Sequence, residues 1–243
     1  MLSYVAMWLE GPLQSYAGED CLYDRETLSF PSRSAITGML FFTLGWTGEE
    51  RERYRALSGL PLVVYGYSKS STRTSKLVDF QMVGDGYDVK DKWQERMVPH
   101  RADGGPVAGG ISSCRPITKH YLQDAVFSAM LAIPQSWSSE VLEASRKPKH
   151  PIFLGRKACM PVTPVVLGVE QTSERALGVL ESFKTQRNRV FAPVSELFEV
   201  RESDEFESAL GYRLRDVPLC GGDRPDYGWR QVLVLKMNFL TQA

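Results

Sequence analysis

The sequence has few residues that suit metal sites or disulfides: 243 residues include only four cysteines and three histidines. Cys21, Cys114, Cys159 and Cys220 are widely scattered and form no C-x-x-C pair, and His100, His120 and His150 stand at no ligand spacing from them or from one another. These spacings match neither a zinc motif nor a disulfide framework. We therefore expect no metal, no cofactor and a reducing, cytoplasmic location.

Long hydrophobic runs are also missing. The longest, at residues 39–44 and 125–133, are much shorter than a bilayer-spanning helix. Residues 1–9 contain neither a basic start nor a small-residue cleavage site, so no signal peptide is predicted. We expect a chain that makes no contact with a membrane.

The chain has no excess charge of either sign, with 29 basic and 29 acidic residues. This balance argues against indiscriminate nucleic-acid binding. The charges are unevenly distributed, since residues 101–161 carry eight Lys or Arg against four acids, and residues 170–207 carry nine acids against five bases. The first segment could meet a polyanion and the second a basic partner, or both could be solvated surface.

A strongly apolar helix is predicted over residues 35–44. Ile36, Met39, Leu40 and Thr43 recur at helical spacing, a serine at 32 or 34 can cap the first turn, and Gly45 is a natural stop. Its start reads Ser-Arg-Ser, which offers free N–H groups, hydroxyls and the Arg33 guanidinium at the positive end of the helix dipole. The start could hold a phosphate, or it could be an ordinary cap beside a solvated arginine.

The remaining pattern alternates strands and helices. Strands are predicted at residues 2–9, 60–68, 119–133, 162–169, 189–200 and 230–240, and helical segments at 49–57, 137–146 and 174–183. Two rounds of strand, helix and strand predict an α+β fold, a ferredoxin-like or RRM-like antiparallel sheet backed by helices.

A long excursion interrupts this pattern. Residues 78–83 and 93–98 could form two strands of a hairpin, and residues 103–110 are rich in glycine. We divide the chain into a body of residues 1–77 and 119–243 and a hairpin insertion of residues 78–118. So long an excursion is usually functional, although a disordered insertion would read similarly.

A second candidate phosphate contact is the turn Gly155-Arg156-Lys157, where a glycine allows close backbone approach beside two cations. If it lies near Arg33, both could follow one RNA backbone. Aromatic residues close to these cations could stack on unpaired bases: Tyr16, Tyr23, Trp93 and Tyr121. In a strand, Lys119 and Tyr121 share a face that His120 does not. An RNA-binding module is therefore favoured over a metal-free nuclease.

Four motifs together resemble one family. They are residues 11–15 (GPLQS), 30–38 (FPSRSAITG), 121–127 (YLQDAVF) and 153–159 (FLGRKAC), the last followed by Pro161. In this order they resemble the Cas-five family of subunits of type I-E CRISPR Cascade. The resemblance covers about residues 1–165.

The resemblance implies an RRM-like domain with a protruding β-hairpin, the thumb, within residues 78–118. It implies a subunit that holds the 5′ handle of the crRNA, caps the Cas-seven backbone and docks the large PAM-reading subunit, so that target DNA is contacted indirectly. The residues expected to bind RNA are Gln14, Arg33, Ser34, Lys119, Arg156 and Lys157. Thumb residues Val98, His100 and Arg101 would wedge between spacer nucleotides and a backbone subunit.

Related type I-C subunits cut the repeat themselves, with a tyrosine near the end of the first helix and a Lys-His pair opening the second. This sequence has Phe42-Thr43-Leu44 and Ser136-Trp137 at those places. The departure favours a non-catalytic role. A metal-independent endoribonuclease that uses Lys119-His120 or Lys149-His150 stays the alternative.

Overall fold

The computed structural model describes residues 1–17, 23–46, 48–69, 75–83, 115–202, 211–221 and 225–236. The strands are β1 (Leu2–Glu10), β2 (Leu13–Gln14), β3 (Asp24–Arg25), β4 (Leu62–Lys69), β5 (Ser75–Val83), β6 (Arg115–Gln123), β7 (Val126–Pro134), β8 (Val166–Glu170), β9 (Val194–Glu202), β10 (Gly211–Cys220) and β11 (Asp226–Lys236). The helices are α1 (Arg33–Leu44), α2 (Arg51–Ser58), α3 (Ser138–Arg146) and α4 (Ser173–Arg187), with a 3-10 turn (Gln135–Trp137) before α3.

Seven strands form the main sheet in the order β10-β11-β9-β4-β7-β1-β8, and every neighbouring pair is antiparallel. Successive side chains of β1 lie on opposite faces of the sheet. Val5 and Met7 lie in the large core with α1, α2 and α3, whereas Ala6 packs with α4 on the opposite face. The expected α+β class, with a large antiparallel sheet and helices, is confirmed.

Helix α1 has the boundaries that its local sequence predicts. The Ser32 hydroxyl accepts a hydrogen bond from the Ala35 N–H at 3.2 Å. At the other end Gly45 adopts φ +75° and donates its N–H to carbonyls of the last turn, a conformation that favours glycine. Between the caps, Ile36 and Leu40 are completely buried.

A smaller sheet is organised around β6. Strand β5 pairs with β6 antiparallel from Ser75 opposite Gln123 to Val83 opposite Arg115, while β2 and β3 pair with its other edge. The described partner of β5 is therefore β6, and residues 93–98 lie outside the described residues. Val98, His100 and Arg101 lie outside them as well.

The single strand predicted over residues 119–133 was wrong. Asp124 adopts φ +50° and separates β6 from β7. The two strands then join different sheets, β6 the smaller and β7 the main one. Asp124 also donates its N–H to the Pro12 carbonyl at 3.0 Å, which holds this corner against the chain that follows β1. None of the described helices has the length and apolar character needed to cross a membrane.

Candidate nucleic-acid interface

The turn at residues 154–159 is held against the segment that follows β2. Leu154 accepts a hydrogen bond from the Ser15 N–H at 3.1 Å and donates its own N–H to the Cys159 carbonyl at 2.7 Å. Gly155 adopts φ +91°, and a Cβ there would lie 1.7 Å from the Ser15 carbonyl oxygen. Only glycine fits this close approach, so the glycine sets the position of the two cations that follow it.

Arg156 is oriented by backbone carbonyls. Its guanidinium donates to the carbonyl of His120 at 3.2 Å and to that of Arg25 at 2.8 Å, and it lies over the Tyr121 ring, 5.1 Å from the centroid. These contacts link the turn to β3 and β6. The next residue, Lys157, is exposed and has no ion pair among the described residues.

The start of α1 and the glycine turn lie side by side. Ser34 and Gly38 on the helix line a cavity of about 200 Å³ together with Phe153 and Gly155. Ser34 is half-buried, and its hydroxyl is 3.0 Å from that of Ser32. The two segments that the sequence singled out for phosphate are thus neighbours in the fold.

Arg33 lies in the interior, whereas a phosphate contact requires a solvent-facing position. Its side chain is completely buried and donates to the carbonyls of Leu57 at 2.8 Å and Leu60 at 2.5 Å, and to Glu202 Oε1 at 2.6 Å. The anion at the helix start is Asp216, whose carboxylate accepts the Arg33 N–H at 2.7 Å. We therefore leave Arg33 out of the candidate interface.

Arg230 completes this ionic network, since it contacts Asp216 Oδ1 at 2.6 Å and Glu202 Oε1 at 2.8 Å. Burial by itself would lower the pKa of Arg230, but the hydrogen bonds and charges of Asp216 and Glu202 outweigh burial and raise it. The network joins α1 to β9, β10 and β11. It holds these four elements together.

Gln14 is also an interior residue. Its amide donates to the Ala125 carbonyl at 2.6 Å and accepts the Tyr16 hydroxyl at 2.6 Å, and both side chains are fully buried. Burial raises the pKa of Tyr16 well above its ordinary value. Tyr121 is only 5 % exposed, so neither tyrosine has a ring face open to a base.

Lys119 contacts a residue of β5, and His120 contacts a residue of β3. Lys119 Nζ donates to Gln81 Oε1 at 2.7 Å, and His120 Nε2 is 2.9 Å from Asp24 Oδ1. The two side chains lie on opposite faces of β6, as predicted, because successive side chains alternate along a strand. Sequence reasoning missed the contribution of Asp24 and Arg25, because β3 has only two residues and shows no periodicity.

Lys149 and His150 lie at the end of α1. The Lys149 N–H donates to the Thr43 carbonyl at 3.1 Å, and the His150 ring centroid is 5.7 Å from that of Phe42. Phe42 offers no hydroxyl there, and the Thr43 hydroxyl donates to the Met39 carbonyl within the helix at 2.8 Å. Across the described ranges, no group of three or more His, Cys, Asp or Glu side chains is placed to hold a metal ion.

Known protein sequences resemble this chain over most of its length. The family model described as CRISPR-associated protein (Cas_Cas5) matches residues 4–232. The CRISPR system Cascade subunit CasD of Escherichia coli (strain K12) is 27 % identical over 185 residues, which cover 72 % of this chain and 74 % of CasD.

Two solved structures share the fold. A chain of a CRISPR RNA-guided surveillance complex superposes with a TM-score of 0.68 at 23 % identity, covering 96 % of this chain and 90 % of that chain. A crystal structure of a Cas protein superposes with a TM-score of 0.55 at 20 % identity, covering 96 % and 94 %. The match of the family model over nearly the whole chain confirms the resemblance seen in the sequence: the chain belongs to the CRISPR-associated Cas_Cas5 family.

Proposed function

We propose that this chain is a non-catalytic, RNA-binding subunit of a type I-E-like CRISPR surveillance complex in the cytoplasm, and that it holds the 5′ handle of the crRNA. The observation that carries the proposal is the glycine turn, which presents Arg156 and Lys157 beside the start of α1. The similarity to CasD, a Cascade subunit, supports it.

The handle surface comprises Ser34, Arg156 and Lys157, with Lys119 and Arg25 on the adjoining strands. Its contacts are made to phosphate and sugar, because cations, a hydroxyl and backbone N–H groups serve these and carry no base preference. Gln14 and Arg33 lie outside this surface, because their side chains are completely buried.

The similarity to CasD, a Cascade subunit, also supports a role in assembling the complex. The unit β1-α1-β4-β7-α3-β8 has the strand order β4-β7-β1-β8, which is consistent with an RRM-like body. The β5–β6 ribbon would be the base of the thumb, with Val98, His100 and Arg101 beyond it at the junction with a Cas-seven backbone subunit. The subunit would cap that backbone and dock the large PAM-reading subunit, which brings it near target DNA without direct readout.

The test is retention of labelled repeat-derived RNA by the assembled complex. Lys157→Ala should weaken retention by about 1–3 kcal/mol, the usual effect of losing a charge-assisted hydrogen bond, and should reduce the salt slope by about one. Arg175→Ala is the matched control, because this exposed cation lies on α4 at the opposite face of the sheet. Equal retention by the Lys157 variant and wild type would contradict the proposal.

A further inference from the structure

A groove of about 520 Å³ lies between residues 145–152 and 160–166, and it shares no lining residue with the cavity at the start of α1. Its walls are mainly apolar and include four prolines, with Ile152 and Val166: Pro148, Pro151, Pro161 and Pro164. Met160 lines the groove and is 54 % exposed.

One rim of the groove carries three Lys or Arg side chains, with a histidine beside them. Lys149 and His150 line it, and Arg146 and Lys147 precede them at the end of α3. All four side chains are exposed, and none has an acidic partner within the part of the chain that the structure describes. This rim attracts carboxylates or phosphates.

The groove is preformed, because backbone hydrogen bonds hold both of its sides. On one side Lys147 donates its N–H to Ala144 at 3.2 Å and Lys149 donates to Thr43 at 3.1 Å. On the other side the Val162 N–H donates to the Glu10 carbonyl at 2.9 Å. A partner would therefore bind without a large ordering cost on this side of the interface.

We infer that this groove binds an extended protein segment whose apolar side chains are flanked by Asp or Glu, supplied by another subunit of the complex. The inference rests on the proposed function, because it assumes an assembly. Such a segment satisfies both features at once, since its apolar side chains cover the walls and its carboxylates pair with the rim. A phosphate chain would use the rim but leave the walls and Met160 in water.

The experiment places the photo-crosslinking residue p-benzoylphenylalanine at Met160 in the full chain, within the complex purified with its subunits. Irradiation should join this position to a protein segment in which apolar residues alternate with or adjoin acids. The same residue at Leu177, which is 39 % exposed on α4, is the matched control position. A double variant, Lys147→Glu with Lys149→Glu, should reduce the Met160 crosslink at least tenfold, whereas Arg175→Glu should leave it unchanged.

Each other outcome overturns the inference. These outcomes are a crosslink to RNA or DNA, a crosslink to a segment without acidic residues, no crosslink above the control position, or a crosslink that survives the double charge reversal. RNA retention measured on the same samples separates the two proposals, since loss of RNA binding with a persistent acidic-segment crosslink refutes only the handle surface. A wild-type chain that co-purifies with no other subunit refutes both.

Discussion

The carboxylate of Asp216 accepts a hydrogen bond from the backbone N–H of Arg33 at 2.7 Å, which joins the first turn of α1 to a strand 183 residues further along the chain. A helix N-terminus favours an anion because its free N–H groups and its dipole point the same way. In this chain the anion comes from the protein itself. We therefore centre the proposed handle surface on the neighbouring turn, with only Ser34 contributed by the start of α1.

Replacing Arg33 should destabilise the fold. Arg33→Met removes the side-chain donor to the Leu60 carbonyl and one donor to the Leu57 carbonyl, which keeps the Leu60 N–H at 3.1 Å. It also removes one of the two cations that Glu202 contacts. Removing one partner of a buried ion pair typically costs about 3–5 kcal/mol of unfolding free energy. We expect the low end of this range in urea denaturation, because Glu202 is partly exposed and keeps Arg230.

Arg215→Met is the matched control, because the Arg215–Asp226 pair is more than half exposed on both sides and should contribute about 0–1 kcal/mol. Similar losses of unfolding free energy in the two variants would show that the buried network stabilises the fold no more than an exposed ion pair does. RNA retention by the folded Arg33 variant should stay near wild type.

The glycine turn should tolerate no side chain. In Gly155→Ala the new Cβ meets the Ser15 carbonyl and the backbone keeps a positive φ, so the turn must shift or stay strained at about 1–3 kcal/mol. RNA retention should fall together with stability, because Arg156 and Lys157 move with the turn.

Gly178→Ala provides the comparison. Its Cβ on α4 would come within 4 Å of no other described part of the fold beyond the helix's own backbone, so stability should be equal or up to about 1 kcal/mol higher. Retention that is the same in both glycine variants would show that the position of the turn is irrelevant to RNA.

Low pH should weaken a second interior ion pair, that between Glu10 and Arg187. Burial raises the pKa of Glu10, but hydrogen bonds from Arg187 and Trp8 and the nearby positive charges lower it more, so the net pKa lies below the ordinary 4.5. The stabilising contribution is therefore fully present above pH 4.5 and is lost as the pH falls through the lowered pKa.

In urea titrations, Glu10→Gln should be less stable than wild type at neutral pH, and the difference should shrink in acid below pH 4.5. Glu174→Gln, at a fully exposed carboxylate, should change stability much less because solvent screens it. A difference for Glu10→Gln that is constant with pH would refute this role of the ion pair.

Repeat RNA should survive incubation with the purified chain in EDTA. His150 packs against Phe42, which has no hydroxyl, and the hydroxyl of Thr43 is committed to Met39, so the end of α1 lacks an obvious acid–base pair. Gel analysis of labelled RNA measures this. Cleavage that disappears in His150→Ala or His120→Ala would support the endoribonuclease alternative, for which the His120–Asp24 contact supplies an orienting carboxylate.

Local patterns predicted the elements whose signals lie within a few residues. The caps at Ser32 and Gly45 identified α1, and helical spacing identified α3 and α4. Strand β10 was not predicted, and β6 and β7 were merged, because the apolar alternation of a strand does not show which sheet it joins. That choice depends on the turn at Asp124 and on distant partners.

The sequence by itself determined the helix caps and the apolar faces, since each depends on residues close together in the chain. The need for glycine at 155 comes from the Ser15 carbonyl and so from the tertiary structure. Only the tertiary structure decided where the Arg33 side chain points, because its carboxylate partner is Glu202, on a strand much later in the chain. The backbone N–H of Arg33 is held by Asp216, on the next strand. A buried charge takes the nearest opposite charge in space, and spatial proximity cannot be read from residue order.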